Sequence, residues 1–228
     1  MTEQAASHGR PIRVVLFDLD GTFADTAPDL AFALNQTLIR HGRQPLPDAV
    51  IRPHVSHGGK ALIRLGFGIE PEHPDFEIYR KDLLEIYRNN IHRETALFPG
   101  MDDVLNTLER HGIAWGIVTN KPSWLTDPLM QSMGLDDRAA CIVSGDTTSN
   151  SKPHPEPILH ACRIAGGEAA ECLYIGDAER DIEAGRVAGT ATLTALFGYI
   201  GEDDNPDNWG ADGSVATPVE ILEWMGLM

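Results

Sequence analysis

Two aspartates near the N-terminus form a pattern that could do chemistry. Asp18 and Asp20 belong to the segment Asp-Leu-Asp-Gly-Thr at residues 18–22, which follows the apolar run 14–17. Residues two apart on an extended segment face the same side, so both carboxylates would point into one site at the end of a strand. Such charges repel each other unless a cation joins them, which predicts a bound metal or a shifted pKa. An Asp-Gly turn with solvated acids is the alternative interpretation.

A second acidic pair follows a later apolar run. Asp177 comes shortly after the run 172–175, and Asp181 lies four residues further along, one helical turn away on the same face. Either residue alone is typical of a helix start, because the helix dipole favours acids in the first turn. Together with Asp18 and Asp20 they supply the hard oxygen ligands that Mg²⁺ prefers. The combined pattern therefore predicts a magnesium site.

Polar residues suited to phosphate follow two other segments. The apolar run 113–118 ends in Thr119 and Asn120, which offer a hydroxyl, an amide and backbone N–H groups to phosphate oxygens. In the loop 151–157 every second residue is a proline, which stiffens the backbone and fixes Lys152 in place. A helix cap at Thr119 or Asn120 and a solvated surface lysine are the alternatives that the residues leave open.

These residues need elements that bring them together. Short apolar runs alternate with helical segments after residue 96, which predicts a doubly wound, parallel α/β sheet with right-handed crossovers. Residues 27–95 carry helical spacing, such as Leu30, Leu34 and Leu38, so an all-helical insertion is expected there. In a parallel sheet the ligand site lies beyond the carboxyl ends of the strands, where the candidate residues stand.

Charge and composition exclude several classes of protein. The 228 residues include 34 acidic and 18 basic side chains, and the formal charge of −16 repels nucleic acids and anionic membranes. We expect neither as a partner, and an anionic substrate would need local cations and a divalent metal. Three cysteines without a CxxC pair favour a reducing cytoplasm. No apolar run reaches the roughly 20 residues of a membrane span, and residues 1–10 are expected to form a loose tail.

The combined motifs resemble those of the haloacid dehalogenase superfamily. Its four motifs occur here in order: Asp18-x-Asp20-Gly-Thr, the strand-ending Thr119, Lys152 before a proline, and Gly-Asp177-x-x-x-Asp181. The likeness covers essentially the whole chain. It implies a Rossmann-like catalytic core over residues 11–26 and 96–228, with a helical cap domain over residues 27–95. Within the superfamily, the second aspartate favours phosphate ester chemistry over dehalogenation.

The resemblance also implies roles for the acidic residues. Asp18 would attack phosphorus and form an aspartyl-phosphate, while Asp20 would protonate the leaving alkoxide and later activate water. Mg²⁺ would be held by Asp18, the backbone carbonyl of Asp20 and Asp177. Asp181 would support the metal site from its outer shell.

The polar and cationic residues take the phosphoryl group in the same scheme. Thr119 and the backbone N–H of Asn120 would hold a phosphoryl oxygen, and Lys152 would offset the charge of both nucleophile and transferring group. The cap segment 56–60 is predicted to contact substrate, because Gly59 permits close backbone approach and Lys60 can meet a carboxylate. A helix start with a surface lysine is the alternative for that segment.

Three functions remain open at this point. The leading prediction is a Mg²⁺-dependent phosphoglycolate phosphatase. Residues 198–200 and 205–212 also resemble a subgroup that includes N-acetylmuramic acid 6-phosphate phosphatases, which makes that activity the alternative. A phospho-accepting signalling domain is the third, since it too keeps an aspartate at a strand end. The expected partner is a small phosphorylated metabolite, and the chain is expected to be a monomer or a homodimer.

Overall fold

The computed structural model describes residues 11–202 and 204–228, and the predicted tail over residues 1–10 lies outside them. In chain order the strands are β1 Val14–Phe17, β2 Ala24–Asp25, β3 Ala96–Leu97, β4 Ala114–Val118, β5 Cys141–Val143, β6 Cys172–Gly176, β7 Ala191–Ala195 and β8 Gly213–Val215. Six of them form one parallel sheet in the order β5-β4-β1-β6-β7-β8. The predicted parallel sheet is confirmed.

The strand order places β1 at the point where the winding of the sheet reverses. The chain builds β4 and β5 on one side of β1, then crosses over to build β6, β7 and β8 on the other. Such a reversal opens a crevice at the carboxyl ends of the central strands. Phe17 of β1 pairs with Ile117 of β4 and Ile175 of β6, so these three strands end at nearly the same level.

Helices cover both faces of the sheet. In chain order the α-helices are α1 Ala27–Arg40, α2 Asp48–Ile51, α3 Gly58–Phe67, α4 Phe76–Asn89, α5 Met101–Arg110, α6 Ser123–Met133, α7 Glu156–Ile164, α8 Glu179–Ala188 and α9 Glu220–Trp224, and those that cover the sheet are α5 to α9. Val15 and Phe17 pack into one buried cluster with α5, α6 and α9, while Val14 and Leu16 pack with α7 and α8. Because alternate residues of β1 serve opposite faces, the strand is an uninterrupted apolar run.

The helices α1 to α4 and the 3₁₀ helix Arg52–His57 stand apart from the sheet and are called the helical unit below. Its interior is a hydrophobic cluster that includes Leu34, Ile63 and Tyr87. The chain leaves the sheet through β2 and returns through β3, and these two short strands pair antiparallel. Both crossings are therefore held side by side.

A buried carboxylate fixes the returning segment to the start of the helical unit. Asp29 in the first turn of α1 is 1% exposed. Its carboxylate accepts hydrogen bonds from the backbone N–H groups of Arg93, Glu94 and Thr95 and from the Thr95 hydroxyl, at 2.8 to 3.2 Å. Bonds to a charged acceptor are roughly twice as strong as neutral ones, so this contact ties the two crossings together.

Replacing Asp29 by Ala is expected to destabilise the protein by about 3 kcal/mol, because several buried N–H groups lose their acceptor at once. Asp103 offers a matched control, since it also lies in the first turn of a helix but is exposed. Thermal unfolding of the two variants checks the prediction. An Asp29→Ala midpoint as close to the wild-type value as that of Asp103→Ala would contradict it.

Three short strands were not predicted from the sequence. The strand β8 is only Gly-Ser-Val on the sheet edge, and β2 and β3 have two residues each, so none forms an apolar run long enough to indicate a strand. All three cysteines are free and buried. Within the described ranges, no helix has the length and apolar character that crossing a membrane requires.

Candidate active site

Three buried carboxylates gather where the central strands end. Asp18 follows β1, Asp177 follows the adjacent strand β6, and Asp181 lies in the first turn of α8. One oxygen from each lies within 4.8 Å of those from the other two, and each residue is at most 4% exposed. The parallel register of β1 and β6 explains the proximity, because it brings the residues after both strands to one edge.

A buried lysine neutralises part of this charge. The Nζ of Lys152 lies 2.9 Å from Asp18 Oδ1 and 2.7 Å from Asp181 Oδ1. It also donates to the hydroxyl of Tyr174 at 2.7 Å and to the carbonyl of Val118 at 2.9 Å. Burial alone would lower the pKa of Lys152, but the negative charges of Asp18 and Asp181 outweigh burial and raise it. The lysine is therefore a permanent cation beside Asp18.

The carboxyl of Asp177 has the opposite character. Burial and the like charges of Asp18 and Asp181 raise the pKa of Asp177 to about 7. Hydrogen bonds from the Tyr199 backbone N–H at 2.9 Å and the Ser56 hydroxyl at 2.7 Å offset this only in part. Burial and the anionic neighbours thus keep the pKa of this carboxyl near 7. A bound cation would stabilise its ionised form.

Asp20 stands beside the cluster and faces a different set of donors. Its Oδ1 accepts hydrogen bonds from the Lys121 ammonium and the Thr26 hydroxyl, both at 2.6 Å. Its backbone carbonyl accepts the Ser56 hydroxyl at 3.1 Å, and the same hydroxyl reaches Asp177 Oδ2. The Asp20 side chain thus binds donors outside the carboxylate cluster, while its carbonyl and Asp177 lie close enough to share one donor.

Thr119 and Asn120 follow β4 and complete the candidate site. Thr119 is buried, and its Oγ1 accepts the backbone N–H of Lys121 at 3.1 Å. The side-chain amide of Asn120 forms two hydrogen bonds with the backbone of Lys152, at 2.9 and 3.0 Å. The Asn120 side chain therefore positions Lys152. The backbone N–H of Asn120 remains as the group suited to a phosphoryl oxygen.

Five of these residues form the floor of a cavity of about 340 Å³ that lies between the sheet edge and the helical unit, namely Asp18, Asp20, Thr119, Asn120 and Lys152. Asp18, Asp20 and Thr119 line it from the sheet, and Lys60 and Arg80 line it from the helical unit. Further lining residues are Asn120, Lys121, Lys152 and Arg180 from the sheet side and His57, Gly58, Gly59, Leu84 and Tyr87 from the helical unit. A carboxylate-rich floor with cations on both sides can hold a phosphoryl group, a metal and a second anion.

Comparison with known proteins identifies the family. The sequence model of the family of haloacid dehalogenase-like hydrolases matches residues 15–195, which is most of the chain. The chain belongs to this family. This hydrolase is 42% identical over 210 residues to the N-acetylmuramic acid 6-phosphate phosphatase of Pseudomonas putida, covering 92% of this chain and 94% of that one. It is 40% identical over 214 residues to a phosphoglycolate phosphatase of Xanthomonas campestris pv. campestris, covering 92% and 95%.

A solved structure shows that the fold is shared. The crystal structure of a predicted phosphoglycolate phosphatase from Haemophilus somnus 129pt aligns with a TM-score of 0.83 and 24% identity, covering 94% of this hydrolase and 98% of that chain. The family model and the relatives confirm the family resemblance predicted from the motifs, and the shared structure confirms the Rossmann-like fold.

The structure adds Lys121, Tyr87 and Arg180 to the site of this hydrolase, and it gives Ser56, from the predicted segment 56–60, a contact with the carboxylate cluster. Lys121 donates to Asp20 Oδ1 at 2.6 Å and to the Tyr87 hydroxyl at 2.8 Å, while Ser56 donates to Asp177. Arg180 donates to the Ser56 carbonyl at 2.5 Å. Burial would lower the pKa of Arg180, but the surrounding carboxylates raise it. Lys121 and Arg180 were detectable as neighbours of predicted site residues, whereas nothing in the sequence marks Tyr87.

Proposed function

We propose that this hydrolase cleaves phosphate monoesters through a phosphorylated aspartate. The observation that carries the proposal is the buried contact of 2.9 Å between Asp18 Oδ1 and Lys152 Nζ on the cavity floor. The Asp18 carboxylate attacks phosphorus as the bond to the alcohol oxygen breaks, and Asp20 gives that oxygen its proton. Asp20 then takes a proton from water, whose oxygen attacks phosphorus and releases inorganic phosphate and free Asp18.

The remaining residues of the floor hold the phosphoryl group. Lys152 offsets the negative charge that Asp18 and the phosphoryl oxygens bring together. The Thr119 hydroxyl and the Asn120 backbone N–H each donate to a phosphoryl oxygen. Because Asn120 also fixes Lys152 through its side chain, one residue couples the two halves of the phosphate site.

The donor set fits a magnesium ion. Asp18, Asp177 and the Asp20 carbonyl are hard oxygen ligands, and the buried carboxylates outnumber the cations Lys152 and Arg180 beside them. The raised pKa of Asp177 is a further sign that the cluster lacks positive charge. When bound, Mg²⁺ supplies charge neutralisation and orients the phosphoryl oxygens. Asp181 supports the site through its bond to Lys152.

We infer that the helical unit acts as the cap predicted over residues 27–95 and selects the substrate. Lys60 and Arg80 line the cavity from the helical unit, although Arg80 also pairs with Glu77 at 3.0 Å. Cations at this position suit an ester whose organic part carries a carboxylate. The cavity of 340 Å³ lies within the roughly 300–1,000 Å³ of pockets that bind larger ligands. An acidic amino sugar phosphate would fill it, so N-acetylmuramate 6-phosphate is the substrate that the geometry favours.

Phosphoglycolate is the second candidate. It carries the same two anionic groups, and relatives named phosphoglycolate phosphatase are 40% identical to this hydrolase. Its two-carbon skeleton is much smaller than an amino sugar and would leave part of the cavity of about 340 Å³ to water. A signalling domain is disfavoured, because the family consists of hydrolases and Asp20 is placed to release the phosphoryl group.

Steady-state phosphate release with Mg²⁺ tests the proposal. We expect kcat/KM for N-acetylmuramate 6-phosphate to exceed that for phosphoglycolate by at least about tenfold, since the larger ester fills more of the cavity that Lys60 and Arg80 line. The reverse order would make phosphoglycolate the substrate and leave the phosphatase mechanism in place. Absence of phosphate release from both esters and from a panel of sugar phosphates would contradict the mechanism itself.

Charge-neutral variants test the recognition of the carboxylate. Lys60→Gln and Arg80→Gln are each expected to lower kcat/KM for N-acetylmuramate 6-phosphate by about tenfold, because a charge-assisted bond is lost. N-acetylglucosamine 6-phosphate, which lacks the carboxylate, should show little loss. Lys81→Gln removes a charge from an exposed position of α4 and serves as the control variant. Equal losses on both sugars would exclude this role for Lys60 and Arg80.

The cysteines and the proposed reaction indicate where the enzyme acts and what it binds. Three buried free thiols are stable in a reducing compartment, so we infer a cytoplasmic location. The proposed partner is a small phosphorylated metabolite, as expected from the sequence, and all the proposed site residues come from one chain. A monomer or a homodimer would therefore both be competent.

A further inference from the structure

Lys121 is a buried cation in the cavity wall to which the proposed mechanism assigns no role. Lys121 follows the phosphate-binding pair at the end of β4, and its side chain is 7% exposed. Its Nζ lies 2.6 Å from Asp20 Oδ1 and 2.8 Å from the hydroxyl of Tyr87 on α4. One ammonium group therefore joins the proposed acid–base residue of the sheet to a phenol of the helical unit.

Burying the Lys121 ammonium costs desolvation free energy that the fold alone does not require. A buried ammonium group is stable only when partners replace its lost hydration. Burial would lower the pKa of Lys121, but the Asp20 carboxylate and the Tyr87 hydroxyl outweigh burial and raise it. Burial also raises the pKa of Tyr87 to about 12, so the phenol stays neutral at physiological pH. Lys121 is thus a fixed charge rather than a proton carrier.

The contacts distinguish the two oxygens of Asp20. Oδ1 accepts two hydrogen bonds of 2.6 Å, one from Lys121 and one from the Thr26 hydroxyl. Among residues 11–202 and 204–228, no hydrogen-bond donor contacts Oδ2, and Asp20 lines the cavity. With Oδ1 anchored, Oδ2 is the oxygen available to exchange a proton with a substrate or with water.

We propose that Lys121 is a positioning residue that anchors Oδ1 of Asp20, presents Oδ2 to the ester oxygen, and makes this alignment depend on the helical unit through Tyr87. The inference rests on the proposed hydrolysis and adds to it. The bond to Tyr87 exists only while α4 packs against the sheet edge. Proton donation is therefore most efficient when the helical unit covers the cavity.

The test compares two leaving groups. An alkoxide such as that of a sugar phosphate needs a proton from Asp20 as it departs, whereas p-nitrophenolate leaves without one. The ratio kcat/KM reports only the steps up to departure of the alcohol, so the later hydrolysis of the aspartyl-phosphate does not obscure the comparison. Lys121→Met is expected to lower kcat/KM by about 100-fold for the sugar phosphate and by less than about fivefold for p-nitrophenyl phosphate.

Two further variants carry the same comparison should Lys121→Met fail to fold. Tyr87→Phe keeps the ring, whose centroid lies 4.7 Å from Lys121 Nζ, but removes the hydroxyl. It is expected to cost about three- to tenfold on the sugar phosphate only, since Lys121 retains its bond to Asp20. Lys121→Arg keeps the charge and should recover part of the loss. Lys81→Met removes an exposed lysine and should change neither ratio.

The outcomes separate this inference from the proposed function. Equal losses on both leaving groups in Lys121→Met or Tyr87→Phe would show that Lys121 supports binding or folding rather than Asp20, and would overturn the inference. Asp20→Asn should show the same leaving-group selectivity, and adding Lys121→Met to it should cost little more. A wild-type enzyme inactive on both substrates would instead contradict the proposed hydrolysis.

Discussion

Replacing Asp18 by Asn is expected to abolish phosphate release, by at least about 10⁴-fold in kcat, while leaving the fold intact. The amide has nearly the shape of the carboxylate but cannot attack phosphorus. The substitution also removes one of three negative charges packed within 4.8 Å of each other, so the cluster loses repulsion as well as the ion pair with Lys152. Steady-state assays with Mg²⁺ and a thermal melt of the same preparation measure the two effects.

The control is Asp127→Asn, which makes the same chemical change at an exposed position of α6. We expect wild-type activity from it and a similar melting temperature. Retention of most activity by Asp18→Asn would exclude Asp18 as the nucleophile. Its loss of activity together with loss of the folded state would leave the role unproven, so the isosteric Asn rather than Ala is the informative variant.

The strand-end residues could be predicted because a parallel sheet turns sequence position into spatial position. Asp18 and Asp177 are far apart in the chain, yet each follows an apolar run that forms a central strand. In a doubly wound sheet these carboxyl ends share one edge. Lys152 does not directly follow a strand, and its place was predicted from its rigid, proline-rich loop and from the family resemblance. The observed bond to Asp18 agrees with the role that the family resemblance implies.

Sequence patterns of this kind could not predict the contacts that the helical unit makes with the sheet edge. Ser56 lies 121 residues from Asp177, and Tyr87 lies 34 residues from Lys121, with no periodicity that relates them. Tyr87 also fits a helical apolar stripe, so its hydroxyl gives no sign of a second purpose. Such contacts depend on how the helical unit docks on the edge of the sheet. The packing of whole surfaces determines this docking, whereas the local sequence does not.

The two connections between the sheet and the helical unit, through β2 and β3, are called the hinge here, and they show the same limit. Tyr199, after β7, donates to Asp25 at 2.7 Å and accepts the Ala27 N–H at 2.9 Å, where the chain enters the helical unit. Arg52 from the helical unit contacts Asp25 at 3.0 Å and lies over the Tyr199 ring. The sequence marked residues 198–200 as resembling one subgroup, but only the structure shows that Tyr199 links the hinge to Asp177 through its backbone N–H.

The raised pKa of Asp177 leads to a pH dependence whose sign can be stated. The carboxyl titrates near pH 7 in the folded chain and near 3.8 when unperturbed. Between these values the folded state holds a proton that the unfolded state has released. The stability of the metal-free protein therefore falls as pH rises through this window, by up to about 4 kcal/mol, and the full cost is present above pH 7.

Asp177→Asn should remove this dependence. In the presence of a chelator, we expect wild-type melting temperatures to fall between pH 5 and pH 8 and those of Asp177→Asn to fall less, so that the variant is the more stable protein at pH 8. Saturating Mg²⁺ should reverse the order, because only the wild type retains the ligand. Asp127→Asn should follow the wild type, and identical pH profiles for wild type and Asp177→Asn would show that Asp177 does not carry the shift.

The same titration predicts how tightly the metal binds. Since Mg²⁺ must displace the proton from Asp177, its affinity should fall about tenfold per pH unit below pH 7 and level off above it. Calorimetry in two buffers of different ionisation enthalpy measures the proton released on binding, which should approach one below pH 7 and vanish well above it. A metal affinity independent of pH from 5 to 8 would mean that Asp177 is already ionised, and that Lys152 and Arg180 alone balance the cluster.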